Sequence, residues 1–264
     1  HRHVNELERI WGVSENDIFA VGSEGSILHF NGLEWHEMDS GTEETLYGVW
    51  GTAGDQVFAA GRDGVILAYD GAAWTAMDSG VSDHLYGLWG CDGADIYAVG
   101  RKGVVLRYDG EVWRTMESGA EESLWGVWGA CSGTGPATVF AVASEGLILR
   151  FDGADWQTSK APDIDFEDVG GADSELDTGT HAFIAGSTGT ILEHDGNAWN
   201  AVETGFYPDM NGVWGYAADR MFAVGDVGTI LAYDGYRWRK SSAPTYADLN
   251  GVSGCTTEEG LHLV

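Results

Sequence analysis

Four series of residues recur along this 264-residue chain with a common period, and only a fold built from tandem units accommodates them. Glycines stand at Gly12, Gly51, Gly90, Gly129, Gly171, Gly215 and Gly254, separated by 39, 39, 39, 42, 44 and 39 residues. A second glycine series runs Gly25, Gly64, Gly103, Gly146, Gly189 and Gly228. The pair Asn31-Gly32 recurs as Asp70-Gly71, Asp109-Gly110, Asp152-Gly153, Asp195-Gly196 and Asp234-Gly235. Tryptophans follow at Trp35, Trp74, Trp113, Trp156, Trp199 and Trp238. Series in phase at this spacing mark a repeated supersecondary unit that buries its apolar faces only by stacking on its neighbours.

One unit, residues 46–84, reads as four short apolar runs. The first, Leu46–Trp50, is closed by Gly51, and the second, Val57–Ala60, by Gly61. Arg62-Asp63-Gly64 is a turn, Val65–Tyr69 a third run, and Trp74–Met77 a fourth. Asp70-Gly71 between apolar runs predicts a tight two-residue hairpin with positive φ at both positions. The unit is thus a four-stranded antiparallel meander. Its runs are apolar on both sides rather than alternating, so each sheet needs cover on both faces. Ala20, Ala59, Ala98, Ala141, Ala185 and Ala223 share one second-strand position, where small side chains let sheets converge on an axis. Radial stacking meets these demands, which predicts an all-β fold, a β-propeller of four-stranded antiparallel blades. No segment sustains a 3.6-residue period over three turns.

The expected organisation is one domain over residues 1–264, with repeats 7–45, 46–84, 85–123, 124–165, 166–210 and 211–248 and a partial repeat 249–264. Leu249–Gly254 restarts a first strand and Leu261–Val264 begins a second. That predicts seven blades with the last incomplete; six is the alternative. Eleven of the twelve tryptophans fall into two structural series, since Trp11, Trp50, Trp89, Trp128 and Trp214 precede the first-strand glycine. Trp125 lies outside both, and Gly170 and Ser253 replace the first-strand tryptophan in units five and seven.

Charge narrows the partners. With 42 acidic and 13 basic side chains the formal net charge is −29, which repels phosphate backbones and argues against nucleic acid and anionic membrane. No apolar stretch approaches the roughly 20 residues that span a bilayer, so no membrane insertion is expected. Three cysteines are too few for a disulfide framework.

Strings such as Val57–Gly61 (VFAAG), Val65–Gly71 (VILAYDG) and Trp74 resemble the bacterial propellers grouped with the BNR or Asp-box repeats. They are also similar to the photosystem II assembly-factor type of propeller. The resemblance covers nearly the whole chain and implies the fold; it also implies a secreted bacterial protein. One departure stands out: an Asp-box has a residue between its Asp and Gly, whereas Asp70 and Gly71 are adjacent. That weakens any inference from sialidases, which share the box.

The candidate sites follow from placement. Arg62, Arg101 and Lys102 occupy equivalent second-to-third-strand turns and form a basic spot on an acidic face, a subsite for a carboxylate or sulfate. Asp39, Glu43, Glu44, Asp83, Glu121 and Glu122 lie in the links between blades and form a candidate cation-binding rim, for which calcium is the candidate cofactor. No D-x-[DN]-x-[DN]-G loop accompanies them. Cys91 and Cys131 follow the first-strand glycines of neighbouring units and are a candidate disulfide; Cys255 takes the same place in unit seven. The longer segments Cys131–Thr138 and Ala172–His181 are candidates for a working edge. The histidines show no metal spacing, and G-x-S-x-G, P-loop and C-x-x-C motifs are missing.

The expectation is a non-catalytic scaffold, not an enzyme, extracellular or periplasmic at the cell surface, engaging a protein or glycan through one face. The alternatives are a periplasmic assembly factor, a degenerate sialidase-like glycoside hydrolase, and one module of a longer structural protein.

Overall fold

A computed structural model describes residues 6–131, 137–161, 164–172, 181–243, 245–257 and 260–263. Two compact units make up the chain, His1–Glu117 with Ser253–Val264, and Ser118–Val252.

The first unit holds three blades. Blade 1 comprises Leu7–Ser14, Asp17–Gly22, Ile27–Phe30 and Trp35–Met38; blade 2 comprises Leu46–Ala53, Gln56–Gly61, Ile66–Tyr69 and Trp74–Met77; blade 3 comprises Leu85–Asp92, Asp95–Gly100, Val105–Tyr108 and Trp113–Met116. The second unit holds blade 4 (Leu124–Ala130, Thr138–Ala143, Leu147–Phe151, Trp156–Lys160), blade 5 (Phe166–Gly171, His181–Gly186, Ile191–Asp195, Trp199–Val202) and blade 6 (Met210–Ala217, Arg220–Gly225, Thr229–Tyr233, Trp238–Ser241). In each blade the strands pair in chain order, an antiparallel meander without crossovers.

Seven blades are not what forms. Among the described residues there are six four-stranded blades, and the last strands make only a two-stranded hairpin, Gly254–Thr257 with Gly260–Leu263. The restart expected at Leu249–Gly254 is displaced to its last residue: residues 249–253 are not strand, and pairing begins at Gly254↔Leu263.

Consecutive blades within a unit hide their faces against each other. Phe19, Val21 and Ile27 of blade 1 form one cluster with Leu46, Val49, Val57, Ala59, Leu67 and Trp74 of blade 2. Blades 2 and 3 repeat the arrangement around Phe58, Ile66, Leu85, Leu106 and Trp113, and blades 5 and 6 around Phe183, Ile191, Met210, Leu231 and Trp238. This explains the short, unalternating second-strand runs of blades 2, 3 and 5, in which every residue after the first is buried.

The first-strand Trp and Gly series are in phase because one packs on the other. A Cβ at Gly51 would lie 2.8 Å from the Trp11 ring, one at Gly90 2.8 Å from Trp50, and one at Gly171 2.5 Å from Trp128. Each indole therefore occupies the hole left by the glycine of the next blade. Blade 5 lacks the indole, having Gly170, and Met221 lies against Gly215 instead. Gly51 does not close its first strand as expected, although Gly171 ends its own. Pairing runs on to Ala53↔Gln56 across a register shift after Gly51, because a bulge lets the chain pass the ring and resume the ladder.

The third-to-fourth-strand turn also differs from the two-residue hairpin. Residues 70–73 separate the strands, and Gly71 has φ +88°, whereas Asp70 is not left-handed. The Asp70 carboxylate instead accepts the N–H groups of Ala72 and Ala73, both at 2.9 Å, so the side chain builds the turn that the backbone was expected to build. Asp109, Asp152, Asp195 and Asp234 do the same, and Asn31 does so in blade 1.

These donated hydrogen bonds favour the ionised acid. Backbone N–H groups of Val112 and Glu111, helped by Arg114, hold the Asp109 carboxyl down at about 2. A depressed folded-state value stabilises the fold above the unfolded-state pKa and is lost as pH falls through the folded one. Acid destabilisation from Asp109 is therefore expected between the ordinary carboxylate range, about 4, and about 2. Asp109→Asn, which keeps the acceptor as Asn31 does, should shrink the drop in melting temperature over that window while barely changing it at neutral pH. An unchanged acid limb in thermal melts would count against this account.

Candidate functional site

The site is assembled by the turns between second and third strands. Arg62-Asp63-Gly64 is a single 3₁₀ turn in which Val65 N–H donates to Arg62 O at 3.1 Å. Its middle residue is left-handed, as are Glu24, Lys102, Glu145, Thr188 and Val227 in the other blades. That conformation costs roughly 1–2 kcal/mol per residue.

A repeated contact offsets the cost. In blades 2, 4 and 5 the residue immediately before the next blade's first strand accepts the strained residue's N–H, and after blade 6 Asp248 does so. His84 Nδ1 accepts from Asp63 at 3.0 Å, Asp165 Oδ1 from Glu145 at 3.0 Å, Asp209 Oδ1 from Thr188 at 2.7 Å and Asp248 Oδ1 from Val227 at 2.9 Å. The same residue's carbonyl accepts the turn of its own blade, as from Arg101 N–H to His84, Ser187 to Asp165 and Asp226 to Asp209, each at 2.9 Å. One residue thus serves two consecutive turns. Sequence reading took the acids of these links as a rim; it missed this role, which falls to the residue one place ahead of the first strand, such as His84, Asp165 or Asp209.

Arg62, Arg101 and Lys102 stand exposed on turns of blades 2 and 3. Lys102 Nζ pairs with Asp83 at 2.9 Å, and Arg62 Nε reaches Glu44 only at 3.9 Å. Such exposed pairs are worth roughly 0–1 kcal/mol and leave the cations open to a better ligand. Arg101 has no carboxylate within ion-pair distance among the described residues. Its backbone N–H donates to His84 O at 2.9 Å, and its charge opposes the rise that burial chiefly, and then Tyr47, impose on the Tyr86 hydroxyl.

Tyr86 belongs to a half-buried aromatic group that sequence reading did not single out. Its ring lies 5.4 Å from Tyr47 and 6.3 Å from His84, and Tyr47 lies 6.5 Å from His84. Tyr47 and Tyr86 take the second position of the first strands in blades 2 and 3, where blade 1 has Glu8. Their spacing of one repeat, 39 residues, was the available signal.

The acids of the candidate rim are mostly engaged locally. Asp39 accepts Gly41 N–H at 3.0 Å, Glu44 and Asp83 face Arg62 and Lys102, and Glu122 accepts Glu121 N–H at 3.2 Å. Glu43 is exposed. Among the described residues no three His, Cys, Asp or Glu side chains converge as metal ligands. Glu8 is the one carboxyl among them pushed above its ordinary value, by burial first and then by Glu6 on the same segment. Cys91 and Cys131 are both disulfide-bonded. Most of Cys131–Thr138 and Ala172–His181 lies outside the described residues. Among the described residues no helix is long and apolar enough to cross a membrane.

Solved structures share this arrangement. The WD40 β-propeller domain of Doa1 superposes with a TM-score of 0.78 at 12% identity, covering 100% of this chain and 90% of that one. YCF48 from Cyanidioschyzon merolae gives 0.69 at 15% identity, covering 95% and 88%. YCF48 bound to a D1 peptide gives 0.69 at 13% identity, covering 89% and 80%. The fold is a β-propeller. Its likeness to the assembly-factor type is a likeness of fold, since identities this low carry nothing finer. No protein-family model matches the chain, and no curated protein sequence does.

Proposed function

We propose that this propeller is a non-catalytic scaffold that binds a protein partner on the turn face of blades 2 and 3, where it grips a carboxylate. The observation that carries the reading is Arg101, without an acidic partner among the described residues, beside the Tyr47–His84–Tyr86 rings on a chain of net charge −29. A guanidinium offers two parallel N–H groups to a carboxylate, and tyrosines supply rigid contact area beside it. Arg62 and Lys102, weakly held by Glu44 and Asp83, add to the same attraction. A structure of similar fold with a bound peptide supports the choice of a protein partner. The disulfide-bonded state of Cys91 and Cys131 supports an oxidising location, outside the cytoplasm or in a periplasm.

The test is direct. A fluorescein-labelled peptide library ending in free carboxylates is compared with the same library capped as amides, by anisotropy against wild type and Arg62→Ala/Arg101→Ala. The wild type should prefer free carboxylates, and the double variant should lose about tenfold or more in affinity. Equal binding of the capped and free libraries, or no loss in the double variant, would remove the carboxylate subsite.

A further inference from the structure

We infer a second recognition site, a groove between blades 4 and 5 that takes an unbranched apolar side chain of a basic peptide. It lies in the second unit and rests on different residues from the carboxylate subsite.

The fourth strand carries the reason. Met38 pairs in register with Ile27 in blade 1, Met77 with Ile66 in blade 2, and Met116 with Val105 in blade 3. Met38 and Met77 pack on the clusters that join their blades to the next. In blade 4 the residue opposite Ile148 is Ser159. Blade 4 thus presents a hydroxymethyl group where earlier blades insert a thioether, and a groove of about 770 Å³ opens there. Ile148, Ser159, Leu192 and Trp199 line it.

The link beyond widens the gap. Blades 1, 2 and 5 follow the fourth strand with Ser40, Ser79 or Thr204, whose hydroxyl donates to a link carbonyl, Thr42 O at 3.2 Å, Val81 O at 3.2 Å or Phe206 O at 3.4 Å. Blade 4 has Ala161, which has no hydroxyl to give. Sequence spacing shows the same departure, since 10 residues separate Trp156 from Phe166 against 11 between Trp74 and Leu85.

Charge and exposure select the occupant. Lys160, at the groove, pairs with Glu145 at 3.6 Å, and with Glu203 on the lining two carboxylates outweigh the one ammonium there. Tyr207 stands at the mouth, 82% exposed, at a link position that holds Glu43 and Glu121 after blades 1 and 3. An exposed aromatic beside an apolar slot is the composition of an interface anchor. The complementary ligand is a peptide whose methionine-like side chain fills the wedge as Met38 and Met77 do, with lysine or arginine on either side to meet Glu203.

The probe is fluorescein-labelled Gly-Lys-Lys-Ser-Met-Ser-Lys-Lys-Gly, titrated by anisotropy, with versions carrying glycine for methionine and glutamate for lysine. Saturable binding is expected for the parent peptide, with about tenfold or greater weakening in either altered peptide. Ser159→Met, which installs the side chain the protein itself uses at three equivalent positions, should weaken the parent peptide about tenfold or more without lowering the melting temperature. Glu203→Lys, at an exposed position, should weaken the lysine peptide and improve the glutamate one. If Ser159→Met melted lower than wild type, the Glu203→Lys exchange would decide alone. Unchanged binding in a well-folded Ser159→Met, indifference to the charge exchange, equal binding of the glycine peptide, or no saturation below about millimolar concentration overturns the inference.

Discussion

Gly64→Ala should cost about 2–4 kcal/mol of stability, more than its single methyl group suggests. Gly64 has φ +75°, and an added Cβ would meet Val81 O at 2.1 Å and Val81 C at 2.9 Å. That carbonyl cannot yield cheaply, because it accepts the Ser79 hydroxyl at 3.2 Å and belongs to the link entering blade 3. Gly80→Ala isolates the conformational part of the effect. Its φ is +72°, yet nothing lies within 4 Å of the new Cβ, so roughly 1–2 kcal/mol is expected there. Urea titrations of the two variants decide the matter. If they lose the same amount, steric closure between turn and link is not what holds Arg62 in place.

Trp74→Ala should be the more damaging change, at about 3–5 kcal/mol. The Trp74 ring meets Phe19 of blade 1 edge-on at 6.2 Å and Tyr69 of its own blade at 5.2 Å, so its loss opens the seam between two sheets. Trp74→Phe should cost much less, roughly 1–2 kcal/mol, because the buried indole N–H has no hydrogen-bond partner among the described residues to forfeit. A large loss in the phenylalanine variant would show that ring area alone does not account for the seam.

The sequence was most legible where every unit obeys one constraint. The Trp and Gly series predicted stacked four-stranded meanders because Trp11 on Gly51 and Trp50 on Gly90 are one contact repeated. It was least legible where a side chain substitutes for backbone. Asp70-Gly71 reads as a two-residue turn, yet the aspartate carboxylate captures two N–H groups and lengthens the loop. The seventh blade failed for a related reason, since strand-like residues at 249–253 form no ladder among the described residues without an opposing strand. At the candidate site, the basic residues were visible as isolated charges on an acidic chain. Tyr47 and Tyr86 were hidden inside runs that look like core, and the groove was hidden in the serine that stands at Ser159 where the first three blades have methionine.

His84, Asp165 and Asp209 each fasten two turns, one by side chain and one by carbonyl. Masonry laid in bond has the same property: a block across the joint fixes the courses on both sides. Displacing such a residue would disturb a pair of neighbours together, and the lengths of the links vary little. From fourth-strand Trp to the next first-strand position the interval is 11 residues five times and 10 once, whereas from first-strand Gly to second-strand Ala it ranges from 8 to 14. Growth in this architecture belongs to the end of the blade where no residue answers to two masters.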